Sequence, residues 1–392
     1  MSNLQHNQKV TAEHLGPLIR SPVVTRVPGH AFVKFHDNQS NPRMPQFGDV
    51  ALVEVLEVSD PKIAEHVPGE FIDCEHAPLT SLTQQRIAFS STDLYPGHLM
   101  LAVVGTRYAL DYLEGVVPAK PVKEMDLFTY SGVVGEVVSR NSLKQNSTRV
   151  RVLGYFRNAD DDIVNTVNYG ANVSQEPFEM DGVKIIMITG GAMETGKTTS
   201  GSAITRALSL DPANHRVLAA KMTGCGTFRD PGSYSATGAE RVLEYGAFGI
   251  PSTYTLEKNR VIGLFWQTCR LLLQEAGTSS DNRPITLVLE VSDGIGQRES
   301  WMLVSEPEIV NRVDHIVCAA ADPLSADSGY RLLQRLGWGE KIVIAGRVGS
   351  HELSREEVRK LTGNYAVPFI DALPALNRNN PQTREIREVF LG

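Results

Sequence analysis

The feature that most constrains this chain is the stretch from Lys184 to Ser200, KIIMITGGAMETGKTTS. An apolar run, Ile185 to Ile188, leads into Gly190 and Gly191, and after four more residues come Gly196, Lys197 and Thr198. In this G-x-x-x-x-G-K-[ST] spacing, glycines free backbone N–H groups to face phosphate oxygens, the following helix adds its positive N-terminus, and the lysine reaches the terminal phosphates. Gly190, Gly191, Glu194, Thr195, Gly196, Lys197, Thr198 and Thr199 are therefore expected to hold a nucleotide's phosphates, with Thr198 as a Mg²⁺ ligand. Ala203, Ile204, Ala207 and Leu208 continue at helical spacing and Asp211-Pro212 ends the run, so strand, loop and helix follow in the order the motif needs.

A chain of 392 residues, 42% hydrophobic and 21% charged, is long enough for two domains with substantial cores. Its net charge of −7 argues against a general nucleic-acid surface. No apolar stretch approaches the roughly 18 to 20 residues that span a bilayer, and the start, MSNLQHNQKVTAEH, has no signal-peptide core. A cytoplasmic protein without membrane or nucleic-acid partners is expected. Cys74, Cys225, Cys269 and Cys318 form no C-x-x-C pair, so reduced thiols are expected.

The texture changes along the chain. Residues 1–20 are polar and read as a flexible N-terminus. Residues 21–170 read as a β-rich, barrel-like domain, with strand candidates at Ala31 to Phe35, Asp49 to Val58, His98 to Val104, Gly132 to Val138 and Thr148 to Phe156. Residues 171–182 read as a linker. From 183 to 392 strands and helices alternate, the signature of a parallel sheet covered on both faces. Strands are expected at Ile185 to Ile188, Arg216 to Ala220, Ile285 to Leu289, His315 to Ala319, Lys341 to Ala345 and Val367 to Ile370. Helices are expected at Thr198 to Leu210, Lys258 to Ala276, Ala326 to Leu336 and Ser354 to Thr362. The fold class is thus α/β, a parallel-sheet P-loop NTPase domain preceded by a β-rich domain.

Ligands bind such sheets at the carboxyl ends of the strands. The strand from Arg216 runs into KMTGCGTFRDPG, where Lys221 and Arg229 are candidates for contacts to transferring or acceptor oxygens and Asp230 for Mg²⁺. The strand from Ile285 ends in EVSDGIGQ, making Glu290 the first candidate for the second Mg²⁺ anchor and Asp293 the next. Asp322 faces the site in this reading, while Ser325 or Asp327 caps a helix, and the loop from Gly346 to His351 is placed for the nucleotide base. Elsewhere, Asp73-Cys74-Glu75-His76 holds four metal-ligand types side by side, although adjacent residues rarely converge on one ion. Arg107, Tyr108 and Asp111 stand beyond a strand end. A structural Arg107–Asp111 ion pair is favoured there over recognition of an anion. Cys225 is a nucleophile candidate with no base paired to it in sequence.

With these residues assembled, 183–375 resembles the dethiobiotin synthetase group of P-loop proteins, which includes cobyrinic acid amide synthetases. Residues Ile188 to Thr198 are similar to that group's T-G-T-D-x-x-V-G-K-T loop. Lys221 stands where the group has a substrate-side lysine, and Glu290 where it has a magnesium-binding glutamate. Ile344 to Arg347 and Val367 to Pro374 match its closing strand pair in style. The chain departs from the group at Ala192, in place of the loop aspartate, at Lys221, which no proline follows, and around Arg347 to Ser350, where the base-reading asparagine is absent. The two-part layout, Gly196-Lys197 and Thr223-Gly224 also resemble a bacterial family of unknown function, some of whose members are implicated in N-acylation of D-amino acids.

These readings imply an ATP- and Mg²⁺-dependent ligase or small-molecule kinase acting on a carboxylate or amine, with GTP left open as the nucleotide. Lys197, Lys221 and Arg229 are its candidate catalytic residues, Thr198, Glu290 and Asp230 its candidate metal ligands. The alternatives are a nucleotide-dependent switch or chaperone acting on a protein partner, an N-acyltransferase of amino acids, and a binding module without catalysis. The β-rich domain is expected to contribute substrate contacts or a homodimer surface.

Overall fold

The computed structural model describes residues 7–15, 18–66, 90–171, 180–211, 215–277, 283–369 and 373–391. Asp73 to His76 lie outside the described residues. The chain falls into two compact units, one comprising Met1–Asn172, Cys225–Phe228 and Tyr245–Thr255, the other Val173–Gly224, Arg229–Glu244 and Leu256–Gly392.

The first unit holds a short helix, α1 (Ala12–Leu15), and strands β1 (Ile19–Arg20), β2 (Lys34–Asp37), β3 (Val50–Glu57), β4 (Ile63–His66), β5 (Ser90–Asp93), β6 (Leu99–Val104), β7 (Arg107–Ala109), β8 (Leu113–Val116), β9 (Glu124–Leu127), β10 (Val133–Arg140) and β11 (Thr148–Arg157). Five of them close a ring. β6 pairs with β3, β3 with β11, β11 with β9 and β9 with β10, all antiparallel, and β10 returns to β6 in parallel. Closure satisfies ladder edges that would otherwise stay open.

Alternation decides what lies inside. Ala51, Val53 and Val55 of β3 join Met100, Ala102 and Val104 of β6 and Val150 and Val152 of β11 in one buried cluster. The opposite faces of β3 and β6, with Val50, Leu52, Leu101 and Val103, are also apolar and are covered by Val10, Leu15 and Leu18. That second apolar face needs a cover, and three described residues of the segment expected to be a flexible N-terminus supply part of it. The first strand expected at Ala31 to Phe35 is displaced, because Gly29–Ala31 form a 3-10 turn and β2 starts at Lys34.

The second unit holds β12 (Val183–Gly190), β13 (Arg216–Lys221), β14 (Arg241–Glu244), β15 (Ile285–Glu290), β16 (His315–Ala319) and β17 (Ile342–Ala345). They pair in parallel in the order β14-β13-β15-β12-β16-β17. The helices are α2 (Lys197–Ser209), α3 (Arg229–Thr237), α4 (Lys258–Ala276), α5 (Arg298–Val304), α6 (Pro307–Arg312), α7 (Pro323–Arg335), α8 (Glu352–Thr362) and α9 (Pro381–Leu391). The strands read as short continuous apolar runs because both faces are buried. On one face Ile186, Ile188, Val288 and Val317 pack with Ala203, Ile204, Ala207 and Leu208 of α2 and Phe390 of α9.

Two local expectations fail. Val367 to Ile370 forms no strand among the described residues: Ala366 makes a single bridge to Ile344, and Pro368 has no N–H to extend a ladder. The stretch after Lys221, where no helix is expected, leads into one, α3, and its Cys225–Phe228 segment belongs to the first unit, where Thr227 Oγ1 and Phe228 N donate to Glu65 at 2.6 and 3.0 Å. Among the described residues no helix is long and apolar enough to cross a membrane.

Candidate nucleotide and metal site

β12 delivers the chain to the loop. Gly190 has no room for a side chain, since a Cβ there would lie 2.6 Å from Thr195 Oγ1 and 2.7 Å from the Ala319 carbonyl. At Gly191 a Cβ would meet nothing within 4 Å, so the backbone faces open space. Gly196 adopts a left-handed conformation (φ 95°) and caps α2 without a side chain. The N-cap residue therefore offers the first amides of α2 no side-chain acceptor, which is the donor arrangement an anion uses at a helix N-terminus. Thr195 Oγ1 and Lys197 Nζ donate to the Ala192 carbonyl at 3.2 and 2.6 Å. Lys197 is 7% exposed. Burial lowers its pKa, opposed by Glu290 and Asp293. Glu194 is exposed with φ 57°, and Thr199 is half-buried on α2.

Strand register builds the rest. In the β13–β15 pairing Lys221 stands beside Glu290, and in β12–β15 Ile188 stands beside Glu290. The side chains of Lys221 and Glu290 thus leave one edge of the sheet together, next to the start of α2. Thr198 Oγ1 lies 3.0 Å from Glu290 Oε1 and 3.5 Å from Asp230 Oδ1. Asp230 Oδ2 accepts from Lys221 Nζ in an ion pair. The other oxygen of Glu290, Oε2, accepts from the Tyr234 hydroxyl at 2.6 Å.

The electrostatics follow from burying two carboxylates and two lysines together. Burial disfavours the charge on Lys221, but Asp230 and Glu290 outweigh it and the ammonium is held charged well above its ordinary range. Burial likewise pushes against the Asp230 carboxylate, and Lys221 overrides it, leaving its pKa lowered. Glu290 ends on the other side: burial and the neighbouring Asp230 raise its pKa against Lys221, Tyr234 and Lys197. A divalent cation would relieve that cost. One hydroxyl and two carboxylates suit Mg²⁺, which takes few protein oxygens and completes its shell with phosphate and water. Among the described residues no group of three or more His, Cys, Asp or Glu is arranged as a self-sufficient metal cage.

The structure therefore gathers Lys197, Thr198, Lys221, Asp230 and Glu290. Arg229 is the exposed first residue of α3, and its charge helps hold Asp230 ionised. Lys221, expected to contact the acceptor, has its Nζ bound to Asp230 and is 7% exposed. Asp322 caps α7 itself, accepting from Leu324 N and Ser325 N at 2.9 and 3.0 Å, and Asp327 pairs with Arg331. Arg347 is exposed, and its backbone N–H donates to the Thr195 carbonyl at 3.0 Å, so that loop is anchored on the phosphate loop.

In the first unit, the expected Arg107–Asp111 pair does not form. Arg107 donates to the Phe128 carbonyl and lies over the Tyr112 ring. The Cys225 thiol donates to the Thr106 carbonyl at 3.7 Å.

Sequence reasoning missed Tyr234. Its ring is fully buried, and it reaches Glu290 by passing α2 at Gly201, where a Cβ would lie 2.3 Å from the Tyr234 oxygen. A glycine in the middle of an otherwise regular helix was the available signal, since that position costs about 1 kcal/mol relative to alanine and needs a packing reason.

No protein-family model matches the sequence, and no curated protein matches it. Among solved structures the chain is similar to FtsY from Mycoplasma mycoides, at 15% identity over 58% of this chain and 75% of that one, with a TM-score of 0.29. A likeness that loose carries no argument about activity. The assignment of a P-loop strand, loop and helix in a parallel sheet rests on the geometry above.

Proposed function

We propose that the chain is a Mg²⁺- and ATP-dependent enzyme that activates a carboxylate or phosphorylates a small metabolite, in the manner of the dethiobiotin synthetase group. The observation that carries this reading is the convergence of Thr198, Asp230 and Glu290 beside Lys197 and the open backbone of Gly191. Bound Mg²⁺ would supply neutralisation of phosphate charge. The chain's own residues then position the reactants: the loop amides and Lys197 hold the β and γ phosphates, Thr198, Asp230 and Glu290 hold the ion, and Tyr234 fixes the carboxylate of Glu290. Lys221 keeps Asp230 ionised, and Arg229 faces the acceptor. Phosphoryl transfer needs positioning and charge neutralisation more than a side-chain nucleophile, and this cluster provides those two things.

The test is ADP formation by the full-length protein with ATP and Mg²⁺, with and without a panel of small carboxylic acids and amines, and GTP in parallel. Acceptor-dependent ADP formation is the expected result. Slow hydrolysis indifferent to every acceptor but stimulated by a protein would instead establish a switch. Acyl transfer to an amino acid with no nucleotide present would establish the N-acyltransferase reading.

A further inference from the structure

At the end of the second sheet away from the phosphate loop, a cavity of about 320 Å³ lies at the beginnings of β12 and β15 and beside α9. Lys184, His215 and Arg387 line it together with the apolar Pro284, Ile285 and Leu391. We propose that this cavity binds a small molecule carrying a phosphate group, with Lys184, His215 and Arg387 as its recognition groups.

Lys184 is the unexpected residue. Side chains two apart on a strand share a face, so Lys184 continues the row of Ile186 and Ile188, which are core residues packed with α2. Its ammonium has no hydrogen-bond or ion-pair partner among the described residues. Its register partner on β15 is Thr286, whose Oγ1 lies 2.8 Å from His215 Nε2. His215 is 6% exposed. Burial, then Arg387 and Lys184, hold its imidazole below the ordinary histidine range.

Helix capping does not explain the set. Arg378 Nε caps α2 by donating to the Leu210 carbonyl at 2.8 Å, and Arg387 meets Asp211 just beyond it at 3.1 Å. Lys184 does neither. Among the described residues that line the cavity, Lys184, His215 and Arg387 bring basic groups, and no carboxylate is one of the lining residues. A lysine, an arginine fork and an imidazole arriving from two strand starts and a helix suit the several oxygens of a phosphate better than a single planar carboxylate. The volume is that of a small-metabolite site, and the apolar wall gives the remainder of such a molecule a surface. Thr286 and Glu290 are four residues apart on β15, roughly 13 Å at the usual strand rise, so this site is separate from the nucleotide site.

The experiment is a titration of the full-length protein with inorganic phosphate, read from the imidazole NMR signals of His215, in the parent and in Lys197→Ala. The second arm matters because phosphate at the nucleotide loop is expected to be lost there. A saturable movement of the His215 signals in both proteins is expected, with affinity weakened about tenfold by Lys184→Gln and by Arg387→Gln. His215 signals that stay still, that respond equally in those two variants, that move only while Lys197 is present, or that move as far with acetate would each overturn the proposal. Because it does not depend on nucleotide turnover, it stands or falls separately from the proposed function.

Discussion

In the proposed function the phosphate loop and the cluster behind it do related work by opposite means. In the proposed binding role of Gly190 to Thr198 the groups are backbone amides joined by the side chains of Lys197 and Thr198, so a contiguous piece of chain suffices. The cluster of Lys221, Asp230, Tyr234 and Glu290 works through side chains from two strands and one helix, all of them buried or half-buried. The loop is therefore sensitive to whatever fills backbone space. The cluster is sensitive to charge, since each member stays buried only because the others compensate it.

That contrast can be broken most directly at Lys221. Lys221→Met strands Asp230 beside Glu290, and a stability loss of about 3–5 kcal/mol is expected in denaturant unfolding. A variant as stable as its parent would mean that the cluster is no more tightly coupled than the loop. In the loop, Lys197→Ala is expected to leave the fold intact while nucleotide turnover falls by about 10²–10³-fold. Gly190→Ala should abolish nucleotide binding through the clash with Thr195 and Ala319, whereas Gly191→Ala, with open space around it, should retain the parent's melting temperature.

Tyr234→Phe sharpens the comparison, because it removes one donor and little volume. Leaving Oε2 of Glu290 without that donor is expected to cost about 1–3 kcal/mol of stability. It should also weaken Mg²⁺ binding about tenfold, seen as a shift in the Mg²⁺ concentration at which nucleotide binding is half-maximal. Mg²⁺ binding indifferent to this change would remove Tyr234 from the site.

The smallest expected effect is on pH dependence, and it comes from the far end of the same sheet. Burial and nearby cations lower the pKa of both His215 and His315 in the folded protein. Below the ordinary histidine range the unfolded chain takes up protons that the folded one refuses. Stability should therefore be flat above about pH 7 and decline as the pH falls toward 5. His215→Gln should make that decline shallower in a series of thermal melts.

Legibility followed the same division. The loop could be read in one pass because its spacing is local and its chemistry belongs to the backbone. Glu290 could be read because it ends an apolar strand, and α4 because its apolar residues repeat at helical spacing. Asp230 was visible as an acidic residue in a polar stretch, but nothing nearby marks it as the partner of Lys221, nine positions earlier with α3 beginning in between. Tyr234 was hidden because its justification, Gly201, lies on another helix. The cover over β3 and β6 was missed because a polar N-terminal composition conceals three apolar residues, Val10, Leu15 and Leu18.

The sequence by itself determined a strand, a glycine-spaced loop and a helix in a parallel sheet, since periodicity and glycine spacing are properties of neighbouring residues. Only the tertiary structure decided that Lys221 neutralises Asp230, that Tyr234 holds Glu290, and that Lys184 shares a cavity with His215 and Arg387. Strand register and helix packing bring those groups together across intervals of up to about two hundred residues, and such distances in sequence carry no local signal.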